Sequence, residues 1–234
     1  DPHPKLPGTL QTVAEEIKML GREALVIQTD VRDPEQVQAM IDATVQHFGR
    51  IDALINNAGA IYWGTTTEFP IKRFDLVMDV NVRGAFLASQ AAIPAMRENG
   101  GHIVMMSPPI NPKAATAKAP YIISKFGMTM VAMAIDEEES NIAAHALWPI
   151  TGIRTAATMN LSMGDDSDWR TPEILADATV ELIARDPKDC TFRAWLDEEV
   201  LREAGVTTFD DYACVPGSSP SPMSIMLVDP DWTP

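Results

Sequence analysis

The sequence is poor in cysteine and in closely spaced metal ligands. Its 234 residues include only two cysteines, Cys190 and Cys214, and its four histidines form no His-x3-His pair. Because sequence-recognisable zinc sites pair such ligands at short spacing, we predict no metal site. Two cysteines without the spacing of a disulfide framework fit a reducing compartment, so we expect a cytoplasmic protein.

Long apolar runs and an excess of basic residues are also missing. No stretch reaches about 18 consecutive apolar residues, so no membrane span is predicted. The 18 Lys and Arg residues are outnumbered by 33 Asp and Glu residues, which gives a net charge of −15. Because phosphate backbones are bound through clustered Lys and Arg, we expect no nucleic-acid partner. A Gly-x-Ser-x-Gly turn is absent too, which argues against a serine hydrolase.

What the chain does contain is a regular alternation of helix-like and strand-like segments. Apolar residues at helical spacing predict helices over residues 10–20, 34–48, 72–99, 120–134 and 171–184. Short apolar runs predict strands over residues 24–29, 51–55, 102–106, 143–148 and 191–196. This alternation is typical of an α/β protein whose parallel sheet has helices on both faces. We expect one domain over residues 1–234, with a mobile loop at 159–170 and an irregular tail at 215–234.

Two residues of the fourth predicted helix form a candidate acid–base pair. Tyr121 and Lys125 are four residues apart, so they share one face of the helix. A tyrosine titrates near pH 10, and a neighbouring ammonium group is expected to lower that pKa. Tyr121 could then give or take a proton near neutral pH. An isolated match to this spacing is more often an ordinary, partly exposed pair.

Other polar or small residues stand where predicted strands end or a helix is weakened. Ser107 follows the strand 102–106, and Asn81 lies inside a helix, where Asn is a poor helix former. Since ligands bind beyond the carboxyl ends of parallel strands, Ser107 could hold a substrate oxygen. Asn81 could bind a water molecule or break the helix. The alternatives are a turn serine and a tolerated polar position.

Two further strand ends carry candidate binding residues. Asp30 and Val31 follow the strand 24–29, and their carboxylate and branched side chain could grip the edge and face of a heteroaromatic ring. Asn57, Ala58 and Gly59 follow the strand 51–55, where small residues let a ligand approach the backbone. Each could also be a plain turn.

The order of these features resembles the short-chain dehydrogenase/reductase family. The matching segments, in chain order, are Asp30-Val31, Asn56-Asn57-Ala58-Gly59, Asn81-Val82-Arg83-Gly84, Ser107, Tyr121-x3-Lys125 and Trp148–Thr155. Several stretches, among them Ser107-Pro108-Pro109 and Ala146-Leu147-Trp148-Pro149, are similar to a hydroxysteroid dehydrogenase-like branch of that family.

The resemblance implies a Rossmann-like doubly wound sheet and an oxidoreductase that uses NAD or NADP on a hydrophobic alcohol or carbonyl substrate. It implies a catalytic tetrad formed by Asn81, Ser107, Tyr121 and Lys125. It also implies a cofactor site formed by Asp30, Val31, Asn57, Ala58, Gly59, Tyr121, Lys125, Pro149, Thr151 and Ile153. Family members commonly pair helices such as 72–99 and 120–134 between subunits, so a homodimer or homotetramer is expected.

The chain departs from the family pattern at its start. The family opens with a strand, a glycine-rich phosphate loop, a helix and a second strand, and no Gly-x3-Gly-x-Gly occurs here. In the strand order 3-2-1-4-5-6, the strands 24–29 and 51–55 would be third and fourth, with two missing strands between them. We therefore expect an N-terminally incomplete sequence. The alternative is a non-catalytic ligand-binding or interaction protein that has lost the phosphate loop.

Overall fold

A four-stranded parallel sheet lies at the centre of the computed structural model, which describes residues 8–110, 118–161 and 164–222. The strands are β1 (Ala53–Asn56), β2 (Gly101–Met106), β3 (Ile142–Trp148), β4 (Gly152–Ile153), β5 (Trp169–Arg170) and β6 (Arg193–Leu196). The central sheet has the order β1-β2-β3-β6, with Leu54 opposite Ile103 and Val104 opposite His145. β4 and β5 form a separate parallel pair.

Eight α-helices accompany the strands within the described ranges. They are α1 (Leu10–Met19), α2 (Pro34–Phe48), α3 (Ile71–Met78), α4 (Gly84–Met96), α5 (Ala119–Glu138), α6 (Ala156–Asn160), α7 (Glu173–Ile183) and α8 (Asp197–Glu203). None of them is long and apolar enough to cross a lipid bilayer.

The core lies on both faces of the sheet because strand side chains alternate. Ile103 and Met105 of β2 point to one face, where they pack with Met96 of α4 and Met128 of α5. Val104 points to the other face, in a second cluster that includes residues of α7 and α8. The predicted parallel sheet with helices on both faces is confirmed.

Local sequence signals explain where several helices begin and end. Asp33 caps α2 by accepting hydrogen bonds from the backbone N–H groups of Glu35 and Gln36, and Pro34 occupies the first helical position. Gly49 ends α2 with a left-handed φ of 84°. The predicted helix 171–184 is observed as α7. α5 extends four residues beyond the predicted end at 134, and α8 was not predicted.

The predicted helix over 72–99 is in fact three segments. α3 runs into a π-helix over Asp79–Arg83, and α4 follows without a gap. Pro94 lies inside α4, which ends at Met96 rather than at 99. Asn81 is at the centre of the π-helix, where the helical geometry changes but the helix does not end.

The prediction of a strand over 24–29 is wrong. These residues have no ladder partner within the described ranges, and Leu25 and Val26 are 38% and 37% exposed. In particular, the segment does not pair with β1, whose only partner among the described strands is β2. An apolar run can form a strand only when a second backbone supplies its hydrogen bonds.

The prediction of a loop over 159–170 is wrong at its carboxyl end. Trp169 and Arg170 form β5, pair with Gly152 and Ile153, and are 4% and 7% exposed. Burial of the large Trp169 ring is favourable, and the polar residues around it in the sequence concealed that preference. Residues 162–163 of that loop lie outside the described residues. Residues 215–222 contain no helix or strand, and residues 223–234 are also outside the described part.

Candidate active site

The carboxyl ends of three neighbouring strands meet at one edge of the sheet. Asn57 follows β1, Ser107 follows β2 and Pro149 follows β3. α5 begins beside this edge and places Tyr121 and Lys125 in its first two turns. The sheet order thus brings together residues that are far apart in sequence.

A cavity of about 250 Å³ opens at this edge, and we call it the Tyr121 cavity. Its walls come from the ends of β1 to β3, from α5 and α7, and from the segment around α6. They are formed by Asn57, Ile61, Trp63, Met106, Tyr121, Lys125, Leu147, Trp148, Pro149, Ile153, Thr155, Ala157, Thr158 and Leu175. Five residues predicted to bind cofactor or reactant are among them: Asn57, Tyr121, Lys125, Pro149 and Ile153.

Tyr121 and Lys125 lie side by side in the wall of this cavity. They are 8% and 5% exposed, and the Lys125 Nζ lies 5.9 Å from the centre of the Tyr121 ring. The Nζ donates a hydrogen bond of 2.8 Å to the carbonyl of Met106. Burial lowers the pKa of Lys125 to about 8. Burial raises the pKa of Tyr121, so the expected lowering by the lysine is not found.

Asn81 holds the loop that follows β1. Its Oδ1 accepts a 2.7 Å hydrogen bond from the N–H of Ala60, and its Nδ2 donates to the carbonyl of Ala60 at 3.0 Å. The same Nδ2 donates to the Ser124 Oγ at 2.8 Å, and that hydroxyl donates to the Tyr121 carbonyl. Asn81 is fully buried and does not line the cavity. It acts on the site by fixing Ala60 and the start of α5.

Ser107 lies behind the cavity wall. It is fully buried, and its Oγ accepts a 2.9 Å hydrogen bond from the Thr129 Oγ1 of α5. The Thr129 hydroxyl also lies 2.7 Å from the carbonyl of Pro108. In this arrangement the Ser107 hydroxyl faces Thr129 and is not among the groups that line the Tyr121 cavity.

A second hollow, which we call the Asp30 depression, has a volume of about 460 Å³. It is lined by Gln28, Thr29, Asp30, Val31, Arg32, Gln36, Ala58, Leu76 and Val80. It contains three of the predicted binding residues: Asp30, Val31 and Ala58. Since Asn57 lines the cavity and Ala58 the depression, the two hollows meet at this segment.

The carboxylate of Asp30 is already engaged by a neighbour. Arg32 donates from its backbone N–H, its Nε and its Nη2, and the shortest contact is 2.6 Å. These hydrogen bonds lower the pKa of Asp30 to about 2. Asp30 is therefore ionised at neutral pH and points toward Arg32.

Of two glycines beside these hollows, one allows a close approach that a side chain would block. A Cβ on Gly59 would lie 3.6 Å from the Asn81 Oδ1 and 3.8 Å from the Lys125 Nζ, which is ordinary contact. A Cβ on Gly84 would lie 2.9 Å from the Val31 Cγ2, which is too close, so the glycine lets the π-helix end pack against the depression. Thr151 lies outside both hollows and is 1% exposed.

Comparison of the sequence with protein-family models identifies the family of this chain. The family model described as short chain dehydrogenase matches residues 5–165. The chain belongs to the short-chain dehydrogenase/reductase family. Members of this family are generally oxidoreductases, which agrees with a tyrosine and a lysine at the carboxyl edge of the sheet.

Named relatives and solved structures agree with this assignment. Hydroxysteroid dehydrogenase-like protein 2 of Xenopus tropicalis is 44% identical over 220 residues, which is 92% of this chain and 52% of the relative. The protein of the same name from Homo sapiens is 43% identical and covers 92% of this chain and 53% of its own length. The chain thus spans about half the length of the curated relatives it matches.

Two crystal structures show the same fold. A short chain dehydrogenase from Mycobacterium thermoresistibile is 43% identical with a TM-score of 0.88, over 95% of this chain and 81% of the other. A short-chain type dehydrogenase/reductase from Mycobacterium marinum is 28% identical with a TM-score of 0.71, over 82% and 81% of the two chains.

Each hollow has, among its described lining residues, one side chain with an unpaired buried polar atom. The Trp148 Nε1, on a side chain that lines the Tyr121 cavity, and the Thr29 Oγ1, on one that lines the Asp30 depression, are both buried without a hydrogen-bond partner among the described residues. Because buried polar groups are normally paired, such atoms indicate places where a ligand could supply a partner. Sequence reasoning missed Trp63 and Ser124, because only the folded chain brings them to the site, and it named Trp148 only as part of the segment Trp148–Thr155.

Proposed function

We propose that this protein is an NAD- or NADP-dependent oxidoreductase that interconverts an alcohol and a carbonyl compound. The observation that carries the proposal is the buried pair of Tyr121 and Lys125 in the wall of a cavity at the carboxyl edge of the sheet. Family membership supports the reaction class.

Each residue of the proposed tetrad has a distinct role. Tyr121 gives a proton to the carbonyl oxygen during reduction and takes it back during oxidation. Lys125 stabilises the tyrosinate and binds the ribose of the cofactor. Asn81 holds Ala60 and the beginning of α5 in place. When bound, the cofactor donates or accepts the hydride, and its oxidised ring carries a positive charge that favours the phenolate form of Tyr121.

Ser107 is proposed to hold the substrate oxygen, which requires a rotation of its side chain. In the described arrangement the hydroxyl meets the Thr129 hydroxyl. A turn about χ1 moves a serine Oγ between staggered positions without moving the backbone. The role therefore depends on a substrate that competes with Thr129 for this hydroxyl.

Cofactor and substrate would share the Tyr121 cavity and contact different residues in it. Asn57, Pro149 and Ile153 are proposed to contact the nicotinamide half, and Thr151 and Gly59 to shape the backbone around it. Asp30, Val31 and Ala58 are proposed to contact the adenosine half. The remaining walls are mainly apolar, with Ile61, Trp63, Leu147 and Leu175 among them. They favour a hydrophobic substrate, because polar groups would lose their water there without gaining partners.

The decisive experiment compares Tyr121→Phe with the unaltered chain. We expect the variant to lose turnover of apolar alcohols with NAD+ or NADP+ by about 10³-fold, since it lacks the proton donor. Its affinity for NADH or NADPH, measured by nicotinamide fluorescence, should stay unchanged. Tyr212→Phe is the matched control, because the Tyr212 hydroxyl donates to Asp177 rather than to the cavity.

Two outcomes would count against the proposal. Full turnover in Tyr121→Phe would remove the proton-transfer role. Binding of NADH without turnover of any alcohol or aldehyde by the unaltered chain would favour the non-catalytic alternative.

A homodimer or homotetramer is proposed from an exposed apolar surface, and a cytoplasmic location from the two free cysteines. Phe86 of α4 is 49% exposed, and Ile123, Met130 and Met133 of α5 are 51%, 52% and 40% exposed. Helix pairing between subunits would bury these side chains. Light scattering tests this, and a monomeric mass at micromolar concentration would contradict it.

A further inference from the structure

A cluster of two histidines and a cysteine lies at the opposite end of the sheet from the Tyr121 cavity. His102 is the second residue of β2, and His145 lies opposite Val104 in the register of β2 with β3. The two imidazoles therefore point to the same face of the sheet, under α7 and α8. They are 3% and 1% exposed.

The two rings present converging nitrogen atoms. The His102 Nδ1 and the His145 Nε2 are 3.2 Å apart, and the ring planes are 19° from parallel. Two nitrogens bound to one tetrahedral zinc ion at about 2.0–2.1 Å are separated by about 3.3 Å. The separation of the histidines therefore already suits a shared ion.

A backbone carbonyl fixes the orientation of His102. The His102 Nε2 lies 3.0 Å from the carbonyl oxygen of Arg185, which can only accept, so this nitrogen carries the proton. The His102 Nδ1 then accepts a hydrogen bond from the His145 Nε2–H, and an ion between the rings would replace that proton. A carbonyl behind the distal nitrogen is the usual support for a metal-binding histidine.

The third donor comes from the segment that follows α7. Cys190 is a free, partly exposed thiol, and donor atoms of His102, His145 and Cys190 all lie within 4.8 Å of one another. The Cys190 Sγ lies 3.4 Å from the Asp186 carbonyl, its hydrogen-bond acceptor. A zinc-bound sulfur and nitrogen lie about 3.5 Å apart, so a small shift of the thiol completes the triad.

The protein itself does not use all the polar atoms of this cluster. The His145 Nδ1 is buried and has no hydrogen-bond partner among the described residues. The Nδ1 of His145 is thus unpaired in either tautomer of the ring. It makes no hydrogen bond that an ion between the two rings could disrupt. Buried polar atoms are normally paired, so packing alone does not explain this one.

The surrounding charges favour a cation once the thiol has lost its proton. The carboxylates of Asp136, Asp186 and Asp189 act electrostatically on Cys190, and the guanidinium of Arg185 opposes them. Binding would release the thiol proton to solvent and replace it by a divalent ion near three carboxylates.

We propose that His102, His145 and Cys190 bind one Zn²⁺ ion with water as the fourth ligand. Nitrogen and thiolate donors suit this borderline-soft ion better than Mg²⁺ or Ca²⁺. The ion would tie the segment from Arg185 to Cys190 to β2 and β3, so its role is structural and separate from the proposed oxidoreductase chemistry. The residues are dispersed in sequence, which is why spacing predicted no metal site.

The experiment uses the full chain after removal of metals with a chelator. Zn²⁺ is titrated against a chromophoric indicator, and Co²⁺ is added separately to look for thiolate-to-cobalt charge-transfer absorption. We expect one equivalent of Zn²⁺, a rise in Tm with Zn²⁺ and the cobalt–thiolate band. Cys190→Ser should bind at least about tenfold more weakly and lose the band, since even outer partners of a metal site are worth that much.

Cys214→Ser is the matched control, because Cys214 is the other free thiol and lies outside the cluster. It should keep the stoichiometry, the Tm rise and the cobalt band. His145→Asn provides a second ligand variant, with far-UV circular dichroism as the check on folding. The proposal is overturned if the unaltered chain binds no stoichiometric Zn²⁺ or Co²⁺ at micromolar metal, or if Cys190→Ser binds as tightly as Cys214→Ser.

Discussion

The Tyr121 cavity and the Asp30 depression lie at the same edge of the sheet, yet the pKa values of their ionisable groups are shifted by different causes. In the cavity, burial alone shifts the pKa values of Tyr121 and Lys125, each toward its neutral form. In the depression, hydrogen bonds from Arg32 hold Asp30 charged in contact with water. The comparison shows that enclosure favours the neutral forms of ionisable groups, whereas an open hollow with a neighbouring guanidinium keeps a carboxylate charged.

The largest expected effect concerns Lys125 and the pH dependence of stability. The folded pKa of about 8 lies below the unfolded value of about 10.5, so between these values the unfolded chain binds more protons. The free energy of unfolding should therefore rise with pH across this window, by up to about 3 kcal/mol, and fall as pH drops through 8.

Urea denaturation between pH 8 and pH 10 measures this rise. Tyrosines of the unfolded chain also ionise near pH 10, so the contribution of Lys125 is measured as a difference between two variants. Lys125→Met should remove most of the rise, and Lys72→Met, at an exposed position of α3, should keep it. An equal slope in both variants would show that enclosure does not control Lys125.

A smaller effect is expected from Ser107→Ala. If the hydroxyl turns from Thr129 to the substrate, its loss should lower kcat/KM by about 100-fold, as for the removal of a hydrogen bond to a developing oxyanion. Thr129→Val removes the competing hydroxyl but keeps the shape, and it should retain turnover. Unchanged kcat/KM in Ser107→Ala, measured with the same substrate, would limit Ser107 to packing.

Asn81→Ala tests the segment between the two hollows. The change leaves the N–H and the carbonyl of Ala60 without their partner, so we expect a loss of about 2 kcal/mol in the free energy of unfolding. Ser124→Ala removes only one of the hydrogen bonds of Asn81 and should cost less. The idea fails if the two variants unfold at the same urea concentration.

The smallest effect is expected at the depression. Gly84→Ala places a methyl group 2.9 Å from the Val31 Cγ2 and should destabilise the fold by about 1–2 kcal/mol. Adding Val31→Ala should recover most of this loss, because it removes the clashing atoms. A double variant that shows simple additivity in thermal unfolding would place the strain elsewhere.

Local sequence signals were enough to predict much of the fold. The cap at Asp33, the glycine at Gly49 and the four-residue spacing of Tyr121 and Lys125 each depend on neighbours within one turn. The segment 24–29 was misjudged because a strand also needs a partner backbone, which its own sequence cannot reveal.

The arrangement of the site was only partly predictable for a similar reason. Motif order placed Asn57, Tyr121 and Pro149 at one edge of the sheet. It did not reveal that the Ser107 hydroxyl faces Thr129, 22 residues away, or that Ser124 and Asn81 bond across 43 residues. Hydrogen-bond partners that distant depend on how helices pack, which no local pattern encodes.

The π-helix over Asp79–Arg83, which is wider than an α-helical turn, determines how a deletion in this helical segment would act. Each residue of an α-helix turns the chain by about 100°. This turn takes up one extra residue locally, so deleting one residue from it would restore regular helix and leave α4 close to its present facing. The buried small residues of α4, such as Ala88 and Ala92, would stay in the core. The same deletion in the regular part of α4 would instead rotate the residues after it toward solvent.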